Sequence, residues 1–214
     1  MKLYDKDIVY LDRQIVIALK PYGVLTQKDP RENLEDLLQE YLRTYLQKSG
    51  NVFCKPAHRL DKNVGGLVVF ARTSKALARL QKAFREKNHL EKIYYAKVEG
   101  KLTKGERLVH YLVKTSYRSL VYTKPRFQGK EAILTFDVIK TGEESIVKIS
   151  LETGRYHQIR AQMAFIGHPI CGDQKYGAKR QKKDLDLYHA EITLPHPISQ
   201  EMMTFRAKVP FIET

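Results

Sequence analysis

The sequence predicts an α+β fold, in which a mixed, largely antiparallel sheet carries flanking helices. Strand-like patterns outnumber helix-like patterns along the 214 residues, and several of them follow one another after short turns. Consecutive strands joined in this way favour antiparallel pairing, with helices packed on the sheet. No internal repeat or low-complexity linker divides the chain. We therefore expect a single domain over residues 1–214.

The strands are predicted from short apolar runs and from the alternation of apolar and polar residues. The run GLVVFA is apolar throughout, as expected of a strand buried on both faces. In KIYYAKVEG, Tyr94, Ala96 and Val98 share one face, which predicts a strand with that face buried. The predicted strands are residues 8–12, 14–19, 66–71, 92–100, 106–113, 118–124, 131–139, 145–151, 187–194 and 202–209.

Three segments show the apolar spacing of an amphipathic helix. Asn33 is expected to cap the first helix, and Gly50 is expected to end it. Thr73 or Ser74 caps the second helix. The third helix is predicted over residues 154–167.

The chain is strongly basic. Lys and Arg number 38 against 24 Asp and Glu, so the formal net charge is +14 at pH 7. Because this excess is spread through segments that look folded, it predicts a polyanionic partner, with nucleic acid first and an anionic membrane second. No run approaches the roughly eighteen apolar residues that cross a bilayer, so no membrane segment is expected.

The N-terminus and the cysteine content both bear on the compartment of the protein. The opening MKLYDKDIVYLD lacks the apolar region of a signal peptide. Cys54 and Cys171 are the only cysteines, which fits a reducing compartment better than a disulfide scaffold. A cytoplasmic protein is therefore expected.

One charged loop precedes the most apolar strand. Residues 58–66 read HRLDKNVGG. Asp61 alone would be an ordinary turn residue, but His58 and Arg59 beside it could bind phosphate or stabilise an ionised carboxylate. The two glycines would let a substrate approach the backbone closely. The loop is either a solvated turn or an active-site loop that holds Asp61 at the lip of a core strand.

A second basic cluster lies in GRYHQIR, at the start of the third predicted helix. Thr153 and Gly154 would begin that helix, and its N-terminal N–H groups could receive an anion. His157 and Arg160 are three residues apart and would share a helix face, with Arg155 nearby. An ordinary amphipathic helix with a basic outer face explains the pattern equally well. Arg160 falls near the edge of the buried stripe, so it needs an acidic partner.

Tyr94 and two pairs of cysteine and histidine residues allow further interpretations. Tyr94 is a core tyrosine by its strand position, although a tyrosine can also stack on a base. The pairs Cys54–His58 and His168–Cys171 could imitate a zinc site, but they lie far apart in sequence, so no metal is expected.

A glycosidase would need a second carboxylate beside Asp61. Asp173 in CGDQKYG is the nearest motif-like acid, and it reads most simply as a turn residue. No phosphate-binding loop, dinucleotide fingerprint or nucleophile elbow is present in the sequence.

Five stretches of the chain share the motifs of one known family. In chain order they are IVYLDRQIVIALKPYGVLTQ, HRLDKNVGGLVVFART, KIYYAKVEG, TGRYHQIRAQMAFIGHPICGDQKYG and LYHAEITLPHPIS. Together they resemble the RluA-like family of RNA pseudouridine synthases, over nearly the whole chain and in the same order. The second stretch resembles the family's catalytic motif.

The resemblance implies the pseudouridine synthase fold with a central active-site cleft. It implies an enzyme that isomerises uridine to pseudouridine in ribosomal or transfer RNA, as a monomer and without a metal or organic cofactor. Asp61 corresponds to the nucleophile, Tyr94 to the tyrosine that packs on the target base, and Arg160 to the arginine that pairs with the catalytic Asp. The RNA-binding residues it suggests are His58, Arg59, Lys62, Arg155 and His157, with Arg59 filling the gap left by the flipped nucleotide.

The sequence also departs from the family. Many members carry a small RNA-binding domain ahead of the catalytic one, and this chain begins almost at once with the catalytic motifs. Gln162 stands where a His is common, and Val64 and Gly65 replace the commoner Thr-Ser. An RNA-binding protein that has lost catalysis, and a hydrolase that releases free base from nucleosides, remain the competing functions.

Overall fold

The computed structural model describes residues 1–27, 32–86 and 89–212. The described residues form eleven strands, three α-helices and two short 3₁₀ helices, at Asp5–Asp7 and Gln174–Tyr176. The strands are β1 (Ile8–Leu11), β2 (Ile15–Lys20), β3 (Lys55–Pro56), β4 (Gly65–Ala71), β5 (Glu91–Glu99), β6 (Glu106–Lys114), β7 (Ser119–Tyr122), β8 (Lys130–Lys140), β9 (Glu144–Leu151), β10 (Leu187–Pro195) and β11 (Met202–Arg206). The α-helices are α1 (Leu34–Tyr45), α2 (Ser74–Glu86) and α3 (Gln158–Phe165). This content confirms the predicted α+β class.

The chain divides into two compact units. The first contains Met1–Glu91 and His189–Lys208, and the second contains Lys92–Tyr188 with the described end of the chain from Val209. None of the described helices is long and apolar enough to cross a bilayer.

The first unit is built around β4. The strands follow the order β1, β2, β4, β10, with β3 also on β4 and β11 on β10. β2 runs antiparallel to both β1 and β4, and β10 runs antiparallel to β11. All seven residues of β4 are buried, which confirms the strand predicted to be buried on both faces. Leu67 and Val69 of β4 pack in one core with Ile17, Leu80 and Ile192.

Capping residues set where the helices of the first unit begin. Asn33 caps α1, because its Oδ1 accepts a hydrogen bond from the Asp36 backbone N–H at 3.0 Å. Thr73 rather than Ser74 caps α2, through a 3.1 Å bond from the Ala76 N–H to its Oγ1. α1 ends before the predicted Gly50, because Gln47 takes a left-handed conformation, with φ of 52°.

The second unit contains a five-stranded antiparallel sheet in the order β5, β9, β8, β6, β7. Tyr94, Ala96 and Val98 of β5 are buried, as their shared face predicted. Tyr94 lies opposite Ile149 of β9. The short turn between β6 and β7 makes an antiparallel hairpin at the far edge of this order.

The third helix is shorter than predicted, and its expected start is wrong. α3 begins at Gln158, not at Thr153 and Gly154, because His157 is left-handed with φ of 54° and cannot continue a helix. The Gln158 side chain holds the preceding loop, since its Oε1 accepts from Thr153 Oγ1 at 2.8 Å and from the Arg155 N–H at 2.9 Å. The helix is also buried over most of its surface, so it has no basic outer face.

Candidate active site

Asp61 lies in the loop between β3 and β4 of the first unit and is half-buried. Its carbonyl accepts the Val64 N–H at 3.1 Å, which closes a turn. Leu60, just before it, is tied to the buried Thr26 by two bonds of 3.1 Å between the backbone of Leu60 and the Thr26 hydroxyl. Lys62, just after it, accepts the Gly23 N–H at 3.0 Å through its carbonyl. The backbone is therefore fixed on both sides of the carboxylate.

Lys20, the last residue of β2, is a buried lysine that contacts this loop. It is 1% exposed, and its ammonium donates to the carbonyls of Pro21 at 3.0 Å, Val24 at 2.7 Å and Lys62 at 2.9 Å. Burial lowers the pKa of Lys20 to about 7, and the negative charge of Asp61 opposes that shift. Sequence reasoning missed Lys20, although a lysine directly after the apolar run IVIAL is itself a signal.

Gly66 of the motif has a structural purpose. Gly66 has a φ of +116°, and a Cβ atom there would overlap the backbone of His189. The residue allows β4 to lie close to the neighbouring strand β10. The approach of a substrate to this backbone stays a prediction.

The three residues around Asp61 that were predicted to bind RNA lie in different settings. Arg59 and Lys62 are exposed, so both can reach a phosphate. His58 is half-buried, its Nε2 accepts the Val69 N–H at 3.1 Å, and its ring stacks on Phe84 with centroids 4.8 Å apart. This setting favours a structural role for His58, and its contact with RNA stays a prediction.

Arg160 of the second unit has the acidic partner that its burial requires. Its Nε binds Asp173 Oδ2 at 2.7 Å and its Nη2 binds Asp173 Oδ1 at 2.8 Å. The side chains are 9% and 1% exposed, so this is a buried bidentate ion pair. Asp173 is also the turn residue that was predicted, because its carbonyl accepts the N–H groups of Tyr176 and Ala178. Its ion pair with Arg160 was not predicted from the sequence.

Tyr176 joins His157 to Arg160. The Tyr176 hydroxyl lies 3.1 Å from His157 Nδ1 and accepts the Ser119 N–H at 2.8 Å. The guanidinium carbon of Arg160 lies 5.2 Å from the centroid of the Tyr176 ring. His157 and Arg160 do not share a helix face as predicted, since His157 precedes α3, but both contact this one tyrosine. Burial raises the pKa of Tyr176, so the phenol stays protonated near neutral pH.

The remaining predicted residues lie on the strands and loops of the second unit. Tyr94 is buried at 7% exposure, and its contact with a target base stays a prediction. Arg155 is exposed, and its Nε donates to the Glu131 carbonyl at 2.8 Å. Gln162, one of the departures from the family, is fully buried and its Nε2 lies 3.0 Å from His110 Nδ1. Gln162 therefore packs the interior.

The described residues contain no group of three or more His, Cys, Asp or Glu side chains arranged to hold a metal ion. Of the pairs considered for zinc, Cys54 is fully buried, and His168 Nδ1 lies 2.9 Å from the Glu99 carbonyl.

Solved structures define the class of fold. The human RNA pseudouridylate synthase domain containing 4 protein matches with a TM-score of 0.81 over 96% of this chain and 89% of its own, at 21% identity. The human domain containing 1 protein matches with a TM-score of 0.77 over 99% and 88% of the two chains, also at 21% identity. The fold is therefore the pseudouridine synthase fold.

Sequence comparison supplies the family. The family described as RNA pseudouridylate synthase matches residues 14–165. The dual-specificity RNA pseudouridine synthase RluA of Haemophilus influenzae is 35% identical over 211 residues, which cover 96% of this chain and 94% of that protein. The protein of the same name from Escherichia coli is 31% identical over 95% of this chain and 93% of its own. The chain belongs to the RNA pseudouridylate synthase family, which confirms the predicted enzyme class, an isomerase that acts on RNA.

Proposed function

We propose that this synthase isomerises specific uridines in ribosomal or transfer RNA, with Asp61 as the nucleophile. The observation that carries the proposal is the rigid setting of Asp61. Its two chain neighbours are anchored by Thr26, Gly23 and Lys20, yet the residue itself keeps partial exposure. A carboxylate that is fixed and reachable is what a positioned nucleophile requires.

Two relatives support the substrate class. The Haemophilus influenzae protein is named a dual-specificity RNA pseudouridine synthase. The Blochmanniella floridana relative, 29% identical, is named ribosomal large subunit pseudouridine synthase D. The first name describes an enzyme of RNA, and the second specifies the large ribosomal subunit.

In the proposed reaction, the bond between C1′ of the ribose and N1 of the uracil breaks and a bond between C1′ and C5 forms. Attack by the Asp61 carboxylate at C1′ would expel the uracil ring through N1, and C5 would then displace the carboxylate. Attack at C6 would form a bond from Asp61 to the ring, and this bond would break again after C1′–N1 has been exchanged for C1′–C5. Both routes end with loss of the proton from C5 and gain of a proton at N1. The product is an isomer of the substrate, so the hydrogen on C5 is the only atom bound to carbon that must be lost to solvent.

The other two proposed catalytic residues are Arg160, which acts on the charge of Asp61, and Tyr94, which contacts the target base. The family resemblance assigns Arg160, whose Nε and Nη2 bind Asp173, the role of keeping Asp61 ionised. Tyr94 packs on the uracil ring, and Tyr94 or a water molecule relays the C5 proton. The base must leave its stack to react, so the target uridine is flipped out of the RNA.

Phosphate contacts position the RNA. The net charge of +14 supports strong, salt-dependent binding. Arg59, Lys62 and Arg155 are exposed, and each is a candidate for a phosphate contact in the proposal. The family resemblance supports a monomeric enzyme with residues 1–214 as one catalytic domain and no cofactor. The free, buried thiols of Cys54 and Cys171 fit the cytoplasm.

Release of tritium from RNA labelled at C5 of uridine tests the reaction, because isomerisation must free that hydrogen. The substrate is total RNA from cells that lack this protein. The wild type and Asp137→Ala, which alters an exposed carboxylate on β8, should release tritium, and Asp61→Ala should release none. Release by Asp61→Ala would eliminate Asp61 as the nucleophile. Binding without release by the wild type would indicate an RNA-binding protein without catalysis.

A further inference from the structure

The turn between β6 and β7 presents an aromatic side chain to solvent. Residues 115–118 form this turn, which is closed by a 2.8 Å bond from the Thr115 N–H to the Arg118 carbonyl. Tyr117 at its tip is 60% exposed. The ammonium of Lys175 lies 4.4 Å from the centroid of the Tyr117 ring, a cation–π contact.

A second tyrosine and lysine repeat this arrangement beside the hairpin. Tyr156 is 38% exposed, and the Lys114 ammonium lies 4.9 Å from its ring centroid. The ring of Tyr156 stacks on His157, with centroids 3.8 Å apart. Lys114, Tyr117, Tyr156 and Lys175 together are called the tip surface below.

The tip surface is held rigidly to the cluster that contains Arg160. Ser119 at the start of β7 donates from its hydroxyl to the Tyr156 carbonyl at 2.5 Å and from its N–H to the Tyr176 hydroxyl at 2.8 Å. Tyr176 in turn packs against Arg160. A ligand on the tip surface would therefore be positioned relative to a residue of the proposed catalytic set.

The charged side chains within the hairpin segment itself are all basic, although Arg107 at its start pairs with Glu152. Residues 107–130 contain no aspartate or glutamate. Their basic residues are Arg107, Lys114, Arg118, Lys124, Arg126 and Lys130. Basic side chains interleaved with exposed aromatic rings fit the phosphates and bases of a single strand, since a base in an A-form duplex hides both of its faces in the stack.

We infer that the tip surface binds an unpaired nucleotide of the RNA, separate from the target uridine. The base stacks on Tyr117, and Lys175 and Lys114 exchange their ring contacts for the flanking phosphates. This inference rests on the proposed function for its substrate, and it assigns part of the substrate selection to the hairpin. An RNA loop is therefore preferred to a duplex of the same length.

Fluorescence anisotropy with two labelled RNAs, a stem-loop and a blunt duplex of equal length, tests the inference. Tyr117→Ala should weaken stem-loop binding by about 5- to 150-fold, the range expected for one lost stacking contact. Binding of the duplex should change little. Tyr117→Phe should bind the stem-loop like the wild type, because the ring is kept.

Tyr45→Ala is the matched control, since Tyr45 is 59% exposed on α1 of the other unit and also contacts an aromatic ring. Equal losses for Tyr117→Ala and Tyr45→Ala would overturn the inference, as would equal losses on stem-loop and duplex. Unchanged thermal unfolding of Tyr117→Ala would exclude a folding defect, and Tyr117→Phe serves the same purpose if Ala unfolds the hairpin. Failure of the proposed catalysis would appear separately, as an absence of tritium release by a wild type that still prefers the stem-loop.

Discussion

Arg160 and Asp173 form a buried bidentate ion pair, with Nε–Oδ2 and Nη2–Oδ1 distances of 2.7 and 2.8 Å. They are thirteen positions apart in sequence. The pair fixes two of the three guanidinium nitrogens, so the orientation of Arg160 is set by the turn that carries Asp173. A residue that sequence analysis assigned to a turn thereby becomes the residue that positions Arg160.

Asp173→Ala should therefore be strongly destabilising, because it leaves the Arg160 charge buried without its partner. We expect the free energy of unfolding, measured by urea denaturation, to fall by about 3–5 kcal/mol. Glu191→Gln is the control, since it breaks a pair with the exposed Arg206 and should change stability very little. Equally small effects of the two substitutions would show that the buried pair contributes no more to stability than the exposed pair does.

Lys20→Met should destabilise the first unit, because the carbonyls of Pro21, Val24 and Lys62 lose their donor. We expect a loss of about 1–3 kcal/mol in the free energy of unfolding at pH 7. The carbonyl of Lys62 adjoins Asp61, so tritium release should also fall if Asp61 is the nucleophile.

The contribution of Lys20 should also depend on pH. Its pKa is lowered from 10.5 to about 7 by burial, so between these values the unfolded chain holds a proton that the folded chain has released. Raising the pH through this window therefore stabilises the folded state. The difference in unfolding free energy between the wild type and Lys20→Met should grow from pH 7 upward. The exposed Lys104, changed to Met, should give no such trend, and a flat difference for Lys20→Met would contradict the buried-lysine account.

Substitution by alanine should destabilise the protein by different amounts at two glycines that have a positive φ. Gly66→Ala combines a positive φ with overlap against the His189 backbone, so we expect a loss of about 2–5 kcal/mol. Gly167 has a φ of +88° with no atom within 4 Å of an added Cβ, so Gly167→Ala should cost only about 1–2 kcal/mol. Thermal and urea unfolding measure the loss of stability in each variant. Equal losses would mean that the close approach of β10 to β4 adds no cost to a side chain at Gly66.

The two cysteines should be inert in the folded protein. Both are fully buried, and burial raises the pKa of each thiol to about 12. A thiol-specific reagent such as DTNB should therefore react negligibly with the native protein at pH 8 and with both thiols once a denaturant is added. Rapid labelling of the native protein would show that one of the two is accessible.

Local patterns in the sequence were sufficient to determine most of the elements and the family. The apolar run of β4 and the alternation of β5 follow from side-chain periodicity, which depends only on neighbours in the chain. The caps at Asn33 and Thr73 are also local, because each accepts a hydrogen bond from a residue three positions on. The motif around Asp61 carried the enzyme class for the same reason, since its residues are contiguous.

Only the tertiary structure decided the contacts between residues far apart in sequence. Lys20 reaches the Lys62 carbonyl across 42 positions, and the Tyr176 hydroxyl meets the Ser119 N–H across 57. The late start of α3 is a similar case, because His157 is placed in the left-handed region where its ring contacts Tyr176. No periodicity encodes such pairs, since burial and hydrogen bonding between distant segments select them only once the chain is folded.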